Sequence, residues 1–306
     1  MRESNKDKTL VVITGPTAVG KTETSIHIAE KLQTEIISAD ARQFYRELNI
    51  GTAAPTPENH KRVKHHFAGH LSIYDYYNAS IFEKQALKVL HEIFEKSDYA
   101  VLTGGSGLYI DTLCHGIDDI PDADQHIRKK VKDIYWNEGL KGLRMLLKKY
   151  DPEFYTEVDI ANPNRMMRGL EVFFATGQKY SQMRQKTRIE REFKIKRIIL
   201  NRPRKELFER INLRTNQMVQ SGLIEEALRF FPYRHLNALN TVGYKELFSW
   251  MRNDWNLPAA LEKIKTNTRR YAKRQLTWFK RYDDAVWFLP HEENAILNYI
   301  KKDEAS

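Results

Sequence analysis

Thr9-Leu10-Val11-Val12-Ile13-Thr14-Gly15-Pro16-Thr17-Ala18-Val19-Gly20-Lys21-Thr22 decides how the rest of the chain is read. Its first six residues form an unbroken, β-branched run, the pattern of a strand buried on both faces of a parallel sheet. Residues 15–22 then match G-x-x-x-x-G-K-[ST] in full, and a helical segment follows from Lys21 to near Leu32. Strand, glycine-rich turn and helix form the context in which that pattern binds phosphate. The backbone of Gly15, Pro16, Thr17, Ala18, Val19 and Gly20 would wrap the phosphate oxygens, and the helix N-terminus would add its dipole. Lys21 would place a point charge on the terminal phosphates, and Thr22 would offer its hydroxyl to Mg²⁺ or to a phosphate oxygen. The motif points to a di- or triphosphate. It does not say which ester, or whether a phosphoryl group moves or the diphosphate leaves.

Outward from this stretch, residues 35–38 read as a second strand ending at Ala39-Asp40, and residues 99–103 as a third running into Gly104-Gly105-Ser106-Gly107. Between them residues 80–97 read as a helix. Ser80-Ile81-Phe82-Glu83 has the form of a capping box, and Phe82, Ala86, Leu90, Ile93 and Phe94 lie on one stripe. Alternating strands and helices are the grammar of a parallel sheet covered on both faces. In residues 118–190 strand signals vanish and helical periodicity takes over, with Gly177 as a C-cap. Residues 196–200 return to strand, and Pro203 opens a helix that Gly222 closes. A last long helix starts near Pro258, with Ile264, Thr268, Tyr271, Gln275 and Trp278 or Phe279 on its seam. Residues 285–289 read as a final strand. The chain is thus expected to be α/β, a P-loop NTPase-like parallel sheet flanked by helices with an all-helical insertion. The expected parts are 1–117, 118–190 and 191–306.

Asp40 follows the carboxyl end of the second strand, the edge that faces the ligand crevice in an open parallel sheet. There it can hold Mg²⁺, accept a proton or hydrogen bond from a nucleophile, or be a solvated turn residue. Gln43 can share its site. The chain of 306 residues is 41% hydrophobic and 29% charged, the balance of a soluble globular protein, and its net charge of +10 favours a polyanionic partner. Residues 181–205 hold ten Lys/Arg against Glu190 and Glu192, and residues 261–282 hold eight against one Glu. Basic runs interleaved with aromatics suit RNA backbone contact and base stacking, although Tyr271 and Trp278 read more readily as part of the helix's core seam. The single cysteine, Cys114, excludes an intramolecular disulfide and a Cys-based zinc finger, and reads as a packed thiol. No targeting or membrane segment is visible, and a cytoplasmic setting is expected. His65, His66 and His70 cluster without a telling ligand spacing and read as structural.

Further motifs appear in order along the chain: Ser38-Ala39-Asp40-Ala41-Arg42-Gln43-Phe44-Tyr45, Asn49-Ile50-Gly51-Thr52-Ala53-Ala54-Pro55-Thr56, Gly104-Gly105-Ser106-Gly107-Leu108-Tyr109, Arg165-Met166-Met167-Arg168-Gly169-Leu170-Glu171-Val172, Val242-Gly243-Tyr244-Lys245-Glu246-Leu247, and Thr268-Arg269-Arg270-Tyr271-Ala272-Lys273-Arg274-Gln275-Leu276-Thr277-Trp278-Phe279. With the phosphate loop they resemble the tRNA dimethylallyltransferase (tRNA isopentenyltransferase) family of bacterial type. Taken together, from residue 15 to 279, the match is highly specific. Ala41 stands where the family has Ser, Ser106 where it has Thr, and Asn162-Pro163-Asn164 replaces an N-D-x-Q stretch.

The resemblance implies transfer of a dimethylallyl group from dimethylallyl diphosphate to N6 of the adenine 3′-adjacent to the anticodon in tRNA. It implies Mg²⁺ as cofactor and a monomeric protein. The loop, Lys21 and Thr22 would hold the diphosphate as leaving group, Asp40 would take the N6 proton, and Arg214 would reach the diphosphate. Arg210 and Arg214 lie one helical turn apart, and a solvated helix face is the alternative for both. Residues carried over as tRNA contacts are Asp40, Ala41, Arg42, Gln43 and Ser106, then Arg128, Asn164, Arg165, Met166, Met167 and Arg168 in the insertion, and Asn240, Gly243, Tyr244 and Lys245. As side chains, the two Met residues read as core rather than cofactor contacts. The phosphate loop and Asp40 also suit a small-molecule kinase using ATP, transfer to a free nucleotide, or an RNA-binding module that alkylates nothing. The basic stretches and the helical insertion favour transfer to RNA.

Overall fold

In the computed structural model, residues 8–185 and 188–302 are described; residues 1–7 and Lys186 of the basic stretch lie outside them. They fall into two compact units, Met1–His115 with Glu190–Ser306, and Gly116–Ile189.

The first unit starts with β1 (Thr9–Thr14), α1 (Lys21–Lys31) and β2 (Ile36–Ser38). It continues with α2 (Pro57–Arg62), a two-residue β3 (His65–His66), α3 (Ala79–Phe94), β4 (Tyr99–Gly104) and α4 (Gly107–His115). The second unit holds α5 (Gln125–Tyr150), α6 (Pro152–Glu157), α7 (Pro163–Thr176) and α8 (Tyr180–Met183). The chain returns through β5 (Lys194–Leu200), α9 (Arg204–Gln220), α10 (Leu223–Phe230), α11 (Tyr244–Met251), α12 (Leu257–Phe279), β6 (Ala285–Phe288) and α13 (Glu293–Lys301).

The sheet order is β3-β2-β4-β1-β5-β6, and every pairing is parallel. Val12 of β1 sits opposite Leu102 on one side and Arg197 on the other. Leu10 and Val12 enter one core with Phe82, Leu102 and Phe279, while Val11 and Ile13 enter the other with Ile26, Val101 and Leu207. This burial on both faces explains why β1 has no polar alternation. From β1 the chain first moves to β2 and later to β5 on the other side. That reversal opens a crevice beyond the carboxyl ends of the strands. Among the described residues no helix is long and apolar enough to cross a membrane.

Helix α3 departs from the sequence reading at its start. Its cap is Asn78, whose side chain accepts from the Ile81 amide at 2.8 Å, not Ser80. Glu83 closes no capping box. It lies buried against Arg191 at 2.5 Å, an ion pair formed across 108 residues of chain. Asn caps a helix as well as Ser does, and the carboxylate answers a buried guanidinium that local pattern does not reveal.

The helical unit packs around Val131, Leu143, Leu147, Phe154, Met166 and Leu170. Gly139 breaks α5 into two helical segments, and Gly177 caps α7 as the sequence indicates.

Candidate active site

Three loops meet at the carboxyl end of the sheet: the phosphate loop after β1, residues 39–43 after β2, and residues 105–106 after β4. Two adjoining cavities open there, of about 550 and 420 Å³. Lys21, Thr22, Arg210 and Gln217 line the first only; Ala41, Arg42, Ser106, Lys245 and Arg274 line the second only. Six residues line both, Asp40, Arg214 and Tyr271 together with Thr17, Ala18 and Thr52, and they form the junction.

The first cavity is built for an anion. Lys21 Nζ donates to the carbonyls of Gly15 and Pro16, each at 3.0 Å, which holds its charge inside the loop. Burial lowers the Lys21 pKa to about 8; Asp40 pulls it up and Arg214 pushes it further down. Arg214 is likewise lowered by burial, with the Asp40 charge opposing. Two cations and one carboxylate therefore share one small, partly dry volume, where their interactions exceed those in water. Arg210 and Arg214 separate in role. Arg210 is exposed and its Nε holds the Ala18 carbonyl at 2.9 Å, while Arg214 faces Asp40.

Thr22 lies in the first turn of α1 on the same cavity wall as Asp40. A hydroxyl and a carboxylate are hard oxygen donors, and they suit Mg²⁺, which keeps most of its shell as water and phosphate oxygen. Among the described residues no group of three His, Cys, Asp or Glu is placed to hold a metal ion.

Asp40 is aimed by its own turn, since its Oδ1 accepts the Arg42 amide at 3.1 Å. Ser106 Oγ accepts the Ala41 amide at 2.9 Å and hydrogen-bonds the Tyr271 hydroxyl. Tyr271 is raised above its ordinary value by burial and by Asp40. It faces the cavities, which corrects its assignment to the core seam of α12. Trp278 does pack with the core, and its Nε1 donates to Asp111 at 3.2 Å.

A match to the family described as IPP transferase runs over residues 43–282. The chain belongs to the IPP transferase family. It is 48% identical over 293 residues to tRNA dimethylallyltransferase 1 of Bacteroides thetaiotaomicron, spanning 96% of this chain and 95% of that one. A solved full-length tRNA isopentenylpyrophosphate transferase from Bacillus halodurans is 33% identical, with a TM-score of 0.69 over 98% of this chain and 99% of that one. A eukaryotic dimethylallyltransferase acting on tRNA shares the fold, at 24% identity and a TM-score of 0.78 over 97% of this chain and 80% of that one.

Within this IPP transferase, several residues carried over as RNA contacts are otherwise engaged. Met166 has no exposed surface and packs in the helical core, so its side chain has no face for RNA. Tyr244 is also fully buried, and its hydroxyl donates to Glu226 at 2.6 Å. Both positions serve packing in this chain. Arg42 directs its guanidinium at the Asn237 and Asn240 carbonyls, at 2.7 and 3.2 Å, and so holds the turn that rims the second cavity. Gln43 Nε2 donates to Thr52 and Ala53 carbonyls at 3.2 and 2.9 Å. In the helical unit Arg168 and Arg128 pair with Asp122, at 3.0 and 3.6 Å, while Asn164 and Arg165 are exposed and Met167 is half-buried.

The basic runs divide in the same way. Arg270, Lys273, Arg274, Lys280 and Arg281 are exposed on or just beyond α12. Arg191 and Arg197 are buried in ion pairs with Glu83 and Asp284, and Arg202 pairs with Glu206. Part of the 181–205 charge therefore holds the fold together instead of facing a polyanion. His65 Nδ1 meets the Val63 carbonyl at 2.8 Å, His66 pairs with Glu35 at 2.5 Å, and His70 packs edge-on to Phe44. Cys114 is buried, and burial pushes its thiol up to about 11.

Sequence reading did not single out Gln275 as a site residue. It reaches the site from α12, accepting from the Thr17 amide at 2.8 Å and donating to the Gly105 carbonyl at 2.9 Å. A Cβ on Gly105 would lie 2.2 Å from Gln275 Nε2, so a side chain there would displace the Gln275 amide. A buried amide side chain on the seam of α12 was the available signal.

Proposed function

We propose that this IPP transferase moves a dimethylallyl group from dimethylallyl diphosphate to N6 of the adenine 3′-adjacent to the anticodon in tRNA. The observation that carries this reading is the junction of two unlike cavities at Asp40 and Arg214, one lined by Lys21 and Thr22 and the other by Ser106, Asn240, Gly243 and Lys245. The anion site and the acceptor side meet at one carboxylate, and the family to which the chain belongs favours allyl transfer over phosphoryl transfer there.

In this reading the diphosphate lies in the first cavity against Lys21, Thr22, Arg214 and the start of α1. Mg²⁺, held by Thr22 with Asp40 nearby, would neutralise charge that develops on the leaving diphosphate. The allyl tail rests on Ile211, Met218, Leu223 and Ile264 in the second cavity. The extruded adenine enters past Ser106, Asn240, Gly243 and Lys245. The allyl C–O bond breaks and its electron pair leaves on the diphosphate. The N6 lone pair forms the new C–N bond, and Asp40 takes the N6 proton. In this reading exposed Asn164 and Arg165, with half-buried Met167, let the helical unit grip the anticodon stem, while Arg128 and Arg168 brace it through Asp122. A monomer in the cytoplasm completes the proposal.

The test uses an unmodified tRNA transcript with adenine beside the anticodon, Mg²⁺ and labelled dimethylallyl diphosphate, followed by digestion and mass spectrometry. N6-alkylated adenosine that is lost in Asp40→Ala and Thr22→Ala supports the proposal. Absence of product from protein that binds the tRNA and transfers phosphate from ATP overturns it.

A further inference from the structure

Two sequence motifs that flank the second cavity, residues 49–52 and 242–247, are tied together by a single buried carboxylate. Glu226, on α10, is 2% exposed and does not line either cavity. Its Oε2 accepts the Asn49 and Ile50 amides at 3.2 and 3.0 Å. Its Oε1 accepts the Gly51 amide at 2.8 Å and the Tyr244 hydroxyl at 2.6 Å. Four donors converge on four acceptor positions, which a carboxylate supplies and an amide does not.

Of these partners Gly51 itself lines the second cavity, and the others adjoin residues that do. Gly51, Gly243 and Lys245 line the second cavity only, the last two on either side of Tyr244, while Thr52 lines both cavities. The Tyr244 ring packs against Gly51 of the first wall, residues 49–52. A Cβ on Gly51 would stand 2.7 Å from that ring, so only glycine lets the two walls close this far. By contrast, the anion donors Lys21 and Arg214 have no bond to Glu226 among those described.

We infer that Glu226 is a positioning residue for the RNA acceptor: it sets the spacing of the two walls past which the adenine enters, independently of the diphosphate end. The inference rests on the transferase reading above. Charge-assisted bonds to backbone amides are stronger than neutral ones, so one side chain can hold both walls.

Tyr244→Phe removes one hydrogen bond and keeps the ring on Gly51. Glu226→Gln places an NH₂ group against the converging amides. Steady-state kinetics with an anticodon stem-loop and dimethylallyl diphosphate, with melting curves for each variant, provide the test. KM for the stem-loop should rise about threefold to tenfold in Tyr244→Phe and by more than about tenfold in Glu226→Gln. KM for dimethylallyl diphosphate should stay within about twofold of wild type in both. Amide hydrogen exchange at residues 49–51 should accelerate in Glu226→Gln. A folded Tyr244→Phe that leaves both KM values unchanged, or raises both equally, overturns the inference, and this variant decides the matter if Glu226→Gln does not fold. Wild-type protein that transfers no allyl group is a separate result: it overturns the transferase reading itself.

Discussion

The Thr17 amide donates to Gln275 Oε1 at 2.8 Å across 258 residues of chain. The other end of the same side-chain amide donates to the Gly105 carbonyl at 2.9 Å. Gln275 thus bridges the phosphate loop and the turn that carries Ser106, and α12 becomes a fixed strut for both. Gln275→Ala leaves a loop amide and a buried carbonyl without a partner, a loss of about 1–3 kcal/mol. kcat/KM for dimethylallyl diphosphate should fall about tenfold or more, and Gln275→Glu should do worse because it adds a negative charge beside the diphosphate. Steady-state kinetics at saturating RNA check both.

Asp40 has opposite effects on binding and chemistry. As a negative charge beside the diphosphate it weakens binding; as the group aimed at N6 it takes the proton. Asp40→Asn should lower kcat by about 10²–10⁴ while, with Mg²⁺ left out, dimethylallyl diphosphate binds as well as to wild type or better. Calorimetric titration and single-turnover rates separate the two. Equal losses in both would rule out the base assignment.

Lys21 sets a pH limit. Burial brings it to about 8, so it is protonated below that pH and loses its charge above it. The charged form is the one that meets the diphosphate. kcat/KM for dimethylallyl diphosphate should therefore fall as pH rises through about 8, a limb that reports the free enzyme. In kcat the limb should move higher, because bound diphosphate favours the ammonium. Lys21→Arg should abolish the limb.

Arg191 and Glu83 form a buried pair at 2.5 Å, and the same guanidinium holds the Thr112 and Leu113 carbonyls at 3.0 Å each. Arg191→Met leaves Glu83 charged and unpaired, at a cost of about 3–5 kcal/mol. The urea midpoint should fall in this variant and recover in part in Arg191→Met combined with Glu83→Gln.

Arg274 lines the second cavity, is exposed and lies 5.8 Å from the Tyr271 ring. If it meets an RNA phosphate, Arg274→Ala should weaken stem-loop binding and reduce the slope of log Kd against log salt by about 1. Arg197, buried against Asp284, should leave that slope unchanged when it is replaced.

The site was legible in the sequence where its chemistry is local. The phosphate loop, Asp40 after β2 and Ser106 after β4 all sit at strand ends, and the alternation of strands and helices placed them at one sheet edge. Of the helical pair expected from the sequence, Arg214 lines both cavities and Arg210 only the first. The short β3 was not legible, because two residues carry no periodicity. Nor was the burial of Tyr244 and Met166, since a motif records that a residue is needed without saying whether it touches a ligand or the core.

By itself the sequence determined the strand–loop–helix of residues 9–31 and the helical insertion. Strand burial, glycine turns and helix periodicity are set by neighbours a few residues apart. Only the tertiary structure decided which polar groups meet: Gln275 with Thr17, Glu226 with residues 49–51 and Tyr244, and Arg191 with Glu83. Each of these buried groups needs a partner because desolvation is costly, but periodicity marks only the buried face, and a partner up to 258 residues away is chosen when the elements pack.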